Sequence, residues 1–369
     1  MFLLAFALPL FLTSCSLSQR TPPLEQPAQS TGAASSAASG SPRGAPPTPT
    51  MPCQTPFPAS LSSGTLAVVA LDPTGSLCVL DADAGSLRSR REVVAVDLLN
   101  DRTRPGHLVT VEPALQDMPG KLARYELRAD TLEPVAELSL DAPEGRLIDA
   151  AQAIVGLQIG EGTTLFRAEA GGGVGRSWGW VVSAAAYPLG GEVMVLTAGA
   201  LDQGKMWLRR VLVGNQGIPE GTWEEVEAEA GGLSVFVGKG RPGYVRAGKE
   251  RLQISWAGGP LDGVQVSTPW AEVHGSMWLA DRQELAVLTG PEPNIHLFGD
   301  GKHRVIWLGG EKLPRPMLPE HRIVYDPSRD RLWVAVPRGL LALALEEGEV
   351  AAEGACKAVG VTLVEQLNP

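Results

Sequence analysis

Between Ile323 and Val350 the chain reads IVYDPSRDRLWVAVPRGLLALALEEGEV, a regular alternation of short apolar runs and polar breaks. The apolar runs are Ile323–Tyr325, Leu332–Val336, Leu340–Leu345 and a fourth from Val350 onward. Between them lie Asp326-Pro327-Ser328-Arg329-Asp330, Pro337-Arg338-Gly339 and Glu346-Glu347-Gly348. Proline presets φ, glycine accepts positive φ, and Asp or Ser can bond its own backbone, so each break predicts a tight turn. The runs are too short for helices and suit strands. Four strands joined by three tight turns make an antiparallel meander, one blade of a β-propeller.

The same pattern recurs along the chain. Its clearest mark is a second strand starting near Leu66, Leu108, Ile154, Val193, Tyr244, Leu285 and Leu332. The spacing averages about 44 residues, near the period of four-stranded propeller blades. A generic β-sandwich is the competing architecture, but it has no reason to repeat in fours. Later units parse alike: Met277–Ala280, Glu284–Leu288, Ile295–Phe298 and His303–Leu308 form one, and Ser234–Val237, Tyr244–Arg246, Leu252–Trp256 and Val264–Val266 another. In the first unit nothing apolar precedes Leu66 except linker, whereas Val359–Val364 stands unused at the other end. Placing that strand inside the first blade closes the ring and removes its open edges. The expected fold is all-β, a seven-bladed β-propeller of four-stranded antiparallel blades closed by the C-terminal strand.

The unit IVYDPSRDRLWVAVPRGLLALALEEGEV, together with LDPTGSLCVLDADAGSL in the first blade, resembles YVTN/YncE-type seven-bladed propellers. The likeness extends from Gly64 to Pro369, and a weaker one points to the eight-bladed lipoprotein of the outer-membrane β-barrel assembly machinery. Ahead of the blades, MFLLAFALPLFLTSC is an apolar run too short to span a bilayer, with the character of an export signal. Its end, Leu12-Thr13-Ser14-Cys15, resembles the bacterial lipobox, which implies that Cys15 is acylated and becomes the mature N-terminus. Residues 16–63 are rich in Pro, Ser, Ala, Thr and Gly, and cannot bury enough apolar surface to fold. As a flexible tether they would span roughly 40 Å; a glycosylated stalk has the same composition. Three segments follow: residues 1–15 as lipoprotein signal, 16–63 as linker and 64–369 as propeller. The expected address is exported and lipid-anchored in the cell envelope, at the outer membrane's periplasmic face or the cell surface.

The formal net charge is −10, and no basic patch offers a nucleic-acid footprint. Of the four cysteines, three remain if Cys15 carries lipid. In an oxidising compartment Cys53, at the end of the linker, and Cys356, just before the closing strand, form the favoured pair. Cys78 with Cys356 is the second possibility, and three reduced thiols the third.

Chemical motifs are few. Gly238-Lys239-Gly240-Arg241-Pro242-Gly243 matches GxGxxG, but strands on both sides make it a hairpin turn. Asp81-Ala82-Asp83-Ala84-Gly85 starts like a calcium loop and lacks the distal ligands. None of the five histidines forms HExxH, and no Gly-x-Ser-x-Gly elbow occurs. His296 and His303 flank one turn without a third ligand. The nine tryptophans follow no cofactor-docking repeat and suit packing between blades. No catalytic residue, metal site or cofactor is assigned.

One end of the ring is richer. Loops Thr268–His274, Gly290–Asn294 and Gly309–Glu320 place Trp270, His274, Asn294, Lys312, Arg315, Met317 and His321 on one side. Aromatic and cationic side chains on an acidic protein have the composition of an anchor patch. They favour a monomeric binding or scaffolding module for an envelope protein or an anionic polymer. The alternative is a lactonase- or hydrolase-like enzyme with a site in the central channel.

The lipobox reading predicts that Cys15→Ala releases the protein from membranes into the soluble fraction. Retention through a carbonate wash would show that acylation at Cys15 is not the tether.

Overall fold

The computed structural model describes residues 66–115, 118–140, 144–149, 154–159, 163–168, 172–173, 181–189, 192–200, 206–213, 222–226, 232–248, 250–268, 271–314 and 321–366. Cys15 and Cys53 fall outside these residues. All seven sheets are four-stranded and antiparallel, and they make a seven-bladed propeller.

From the inside outward, blade 1 contains Gly360–Glu365, Leu66–Leu71, Leu77–Asp81 and Leu87–Arg91. Blade 2 follows with Asp97–Asn100, His107–Glu112, Lys121–Arg128 and Thr131–Ser139. In blade 3 the strands are Glu144–Asp149, Val155–Ile159, Thr163–Arg167 and the two-residue Gly172–Gly173. Blades 4 and 5 start at Val181–Leu189 and Leu233–Gly238. Blade 6 comprises Glu272–Leu279, Glu284–Gly290, Asn294–Gly299 and Lys302–Trp307. Ile323–Asp326, Arg331–Val336, Gly339–Ala344 and Glu349–Gly354 complete blade 7. Inner strands of successive blades lie side by side around the axis.

The reason for the ring is visible in the second strands. Leu66–Leu71 is buried at every position, so neither face can meet water. Alternate side chains of a strand point to opposite faces. Ala67, Val69 and Leu71 therefore pack with Leu98, Leu108 and Tyr125 of blade 2. Val68 and Ala70 pack the other way, against Trp333, Ala335 and Leu340 of blade 7. Comparable apolar clusters fill the gaps between blades 2 and 3, 3 and 4, 4 and 5, 5 and 6, and 6 and 7. Each fully buried Val or Leu contributes about 1.5–3 kcal/mol, so a blade deprived of a neighbour loses a whole face of such residues.

Closure falls on the expected strand. Gly360–Glu365 pairs antiparallel with Leu66–Leu71, from Leu71 opposite Gly360 to Leu66 opposite Glu365. Several contacts secure this seam. Val359 N donates to Leu71 O at 2.8 Å, and Ala355 N to Gly85 O at 3.0 Å. Gly85 has φ +68°, and a Cβ there would sit 2.9 Å from Glu353 O. The turn thus needs glycine both for its left-handed backbone and for close approach to blade 7.

The cysteine expectation is corrected here. Cys356 is bonded to Cys78, with Cα atoms 6.6 Å apart, and not to Cys53. Cys78 lies on the third strand of blade 1 with its side chain in the cluster facing blade 7. That points the sulfur at the connection leaving blade 7, within bridging reach of Cys356. Asp72 comes within 4.8 Å of both sulfurs, but their union leaves no free thiolate there.

Truncation after Gly354 removes the inner strand of blade 1 and exposes the edge of Leu66–Leu71. The expected outcome is loss of the cooperative unfolding transition of the entire ring. Melting close to that of the intact chain would show that closure is dispensable.

Candidate functional site

The two ends of the ring differ. One, the connector end, carries the blade-to-blade connections and the turns between second and third strands. The other carries the remaining hairpin turns. At the connector end of blades 6 and 7, the turn Gly290–Asn294 and the following segment interlock: Leu308 N donates to Pro293 O at 3.1 Å, and Leu313 N to Pro291 O at 2.8 Å. This leaves Lys312 exposed beside the turn. Asn294 is half-buried and donates from Nδ2 to Glu292 O at 3.0 Å, fixing the turn. Asn294 and Lys312 thus lie on two segments that are hydrogen-bonded to each other. Trp270, Arg315 and Met317 lie outside the described residues.

His274 does not sit on a loop. It belongs to the inner strand Glu272–Leu279, at a register shift between Val273 and Gly275, and its side chain is fully buried. The ring packs over Gly290, where any Cβ would collide with Nε2. Both ring nitrogens are buried without a hydrogen bond. Glu272 Oε2 is 3.7 Å from Nε2, too far for one. Burial, with Arg322 as a second cause, lowers the imidazole pKa to about 4, so the ring is neutral and the Glu272 contact is not an ion pair.

His321 has the opposite surroundings. Its Nδ1 lies 2.9 Å from Asp97 Oδ1. Burial alone would depress this imidazole, but the Asp97 carboxylate outweighs it and holds the pKa above its ordinary value. Asp97 also accepts from Leu98 N at 2.9 Å and, through Oδ2, from Leu147 N at 2.7 Å. His321 O in turn accepts from Val361 N at 2.8 Å, and Thr362 Oγ1 accepts from Asn100 N at 3.0 Å. Blades 7, 1, 2 and 3 are thereby laced together through His321 and Asp97. Chemically the pair is a strut; Asp97 has its oxygens filled from three blades.

Two further arrangements bear on the sequence reading. His296 Nδ1 and His303 Nε2 are 3.0 Å apart with ring planes 13° from parallel, which is an N–H···N hydrogen bond between nitrogens aimed at each other. Burial and the neighbouring His303 lower His296 to about 4. Sequence reasoning also missed a buried aspartate in three turns. Asp72, Asp101 and Asp326 are 5%, 0% and 0% exposed. Each accepts, at Oδ1, the backbone N–H of a Ser or Thr two residues on (Thr74, 2.8 Å; Thr103, 3.1 Å; Ser328, 3.0 Å). Each then pairs with an arginine: Arg90 at 2.6 Å, Arg124 at 2.7 Å and Arg329 at 3.1 Å. The D-x-[ST] spacing was the available signal for this Asx turn.

These pKa directions set an acid limb. A histidine with a folded-state pKa near 4 leaves the unfolded chain binding more protons between about pH 6.5 and 4, so stability falls as pH drops through that window. For His274 and His296 the loss is on the order of 3 kcal/mol each by pH 4. His321 acts in reverse: its contribution is present below about pH 6.5 and is lost as pH rises through its raised folded value. Denaturant titrations from pH 7 to 4 are expected to show a flatter acid limb for His274→Leu/His296→Leu than for the parent chain. Parallel limbs would refute the buried neutral state.

No family model matches the sequence, and no curated protein matches it. Solved structures share its shape. A functionally unknown protein from Desulfotomaculum acetoxidans superposes with TM-score 0.61 at 13% identity, covering 82% of this chain and 100% of that one. A candidate 6-phosphogluconolactonase from Bacteroides uniformis gives 0.56 at 12% identity, with 81% and 99% covered. Its counterpart from Bacteroides fragilis gives 0.54 at 13%, with 83% and 99% covered. At these identities the likeness is one of fold: the chain is a seven-bladed β-propeller of the shape shared with these lactonase-like and uncharacterised proteins.

Proposed function

We propose that the protein is a lipid-anchored propeller of the cell envelope that captures an envelope protein or an anionic polymer at the connector end of blades 6 and 7. The observation that carries this reading is the interlocked pair of loops, Gly290–Asn294 with Gly309–Leu313, which holds Lys312 exposed on a rigid base. Binding residues concentrate on loops positioned by a rigid scaffold. The sequence adds Trp270 and Arg315 to the same connections, residue types that most often anchor interfaces. The lipobox-like Leu12–Cys15 and the long polar linker supply the tether.

An enzyme using the channel would need an acid or base free to meet substrate. His321 and Asp97 are bound to each other, and His274 is sealed beneath Gly290. That disposition favours the binding reading over hydrolysis.

Pull-down from crosslinked intact cells tests it. Trp270→Ala/Arg315→Ala and Lys312→Glu are expected to reduce recovery of the wild-type partner at least about tenfold, with melting unchanged. Undiminished capture by both variants would remove this face from consideration.

A further inference from the structure

Away from that face, a cleft opens between blades 2 and 3, and we propose that it binds a small amphipathic carboxylate. Its volume is about 550 Å³, within the range of small-molecule pockets. The floor is made by Val109, Leu122 and Ile154, which also belong to the apolar cluster joining the two blades. On the outer wall stands Leu138, 42% exposed, from the long outer strand of blade 2. The cleft is thus an outward extension of the interblade core that leaves an aliphatic side chain in water.

Its rim is cationic on a chain of net charge −10. Three arginines, Arg104, Arg124 and Arg167, and one carboxylate, Glu137, line it; Arg167 is already engaged by an interaction of its own. Charge balance among these groups decides what kind of anion fits. Arg124 Nε is 2.7 Å from Asp101 Oδ2, and Asp101 is fully buried, so that pair is internally neutralised. Glu137 shares Lys121 with Glu112, at 2.7 and 3.3 Å. Arg104, on the turn between Asp101 and His107, is exposed and adds positive charge above the apolar floor. A guanidinium fork takes a carboxylate through two parallel hydrogen bonds. A dianionic head, such as a phosphate monoester, would bring a second charge toward Glu137 and Glu112, which have one Lys121 between them. The cleft therefore suits one negative charge at the rim with an apolar body laid over Leu138, Leu122 and Ile154.

This inference is independent of the partner-binding face, which lies at the connector end of blades 6 and 7. It is tested on the purified chain with 11-(dansylamino)undecanoic acid, whose emission shifts to the blue on entering an apolar site. The expected result is saturable binding of one probe per chain. The methyl ester, which lacks the charge, and Arg104→Ala should each weaken binding about tenfold, the worth of one charge-assisted contact. Leu138→Asp should abolish the signal. Because Leu138 and Arg104 are both exposed, melting temperatures should match the parent; if Leu138→Asp fails to fold, Leu138→Ala combined with Arg104→Glu reads the same site. Dodecyl phosphate should compete less well than dodecanoate. Absence of saturable binding, equal affinity for acid and ester, or binding that survives the folded cleft variants would overturn the proposal.

Discussion

Everything in this ring follows from strands that have no solvent face. Leu66–Leu71 sends alternate side chains into the gaps on either side of blade 1, and the second strands of blades 6 and 7 behave likewise. A sheet buried on both faces needs a neighbour on each, and that neighbour needs another. The demand ends only when the last blade meets the first. Ring closure is therefore the condition under which every blade's core exists, and the seam between blades 7 and 1 completes it.

Because the constraint is apolar and periodic, it was legible in the chain. The second strands fall where runs such as LAVVAL, LAVLTG and LWVAVP announce them, since those three are buried at nearly every position. The closing strand was legible for the same reason. Inner strands were harder. Blade 6 was expected to begin at Met277, yet its inner strand starts at Glu272. That strand carries Glu272, His274 and Ser276, and the polar residues broke the apolar run that would have marked it. His274 was accordingly read as a loop residue when it is a core histidine.

The candidate site shows a different limit. His321 and Asp97 are 224 residues apart, and no local pattern connects them; only the closed ring brings blade 7 within reach of blade 2 across the inner strand of blade 1. Of the turn aspartates only Asp326 was read as a turn former, although the D-x-[ST] spacing of all three is local chemistry. Their burial and arginine partners were not legible, since these depend on which strand lies opposite. The disulfide followed the same rule: proximity to the seam identified Cys356, while the direction of the Cys78 side chain, set by the pleat of its strand, selected the partner.

The Cys78–Cys356 bond joins the third strand of the first blade to the connection out of the seventh, across a sequence separation of 278. Covalently, then, most of the propeller is a macrocycle. A protease that cuts one surface loop anywhere between those cysteines opens the circle without dividing the molecule. The severed chain stays threaded through its own fold, and the strands on both sides of the nick keep their neighbours.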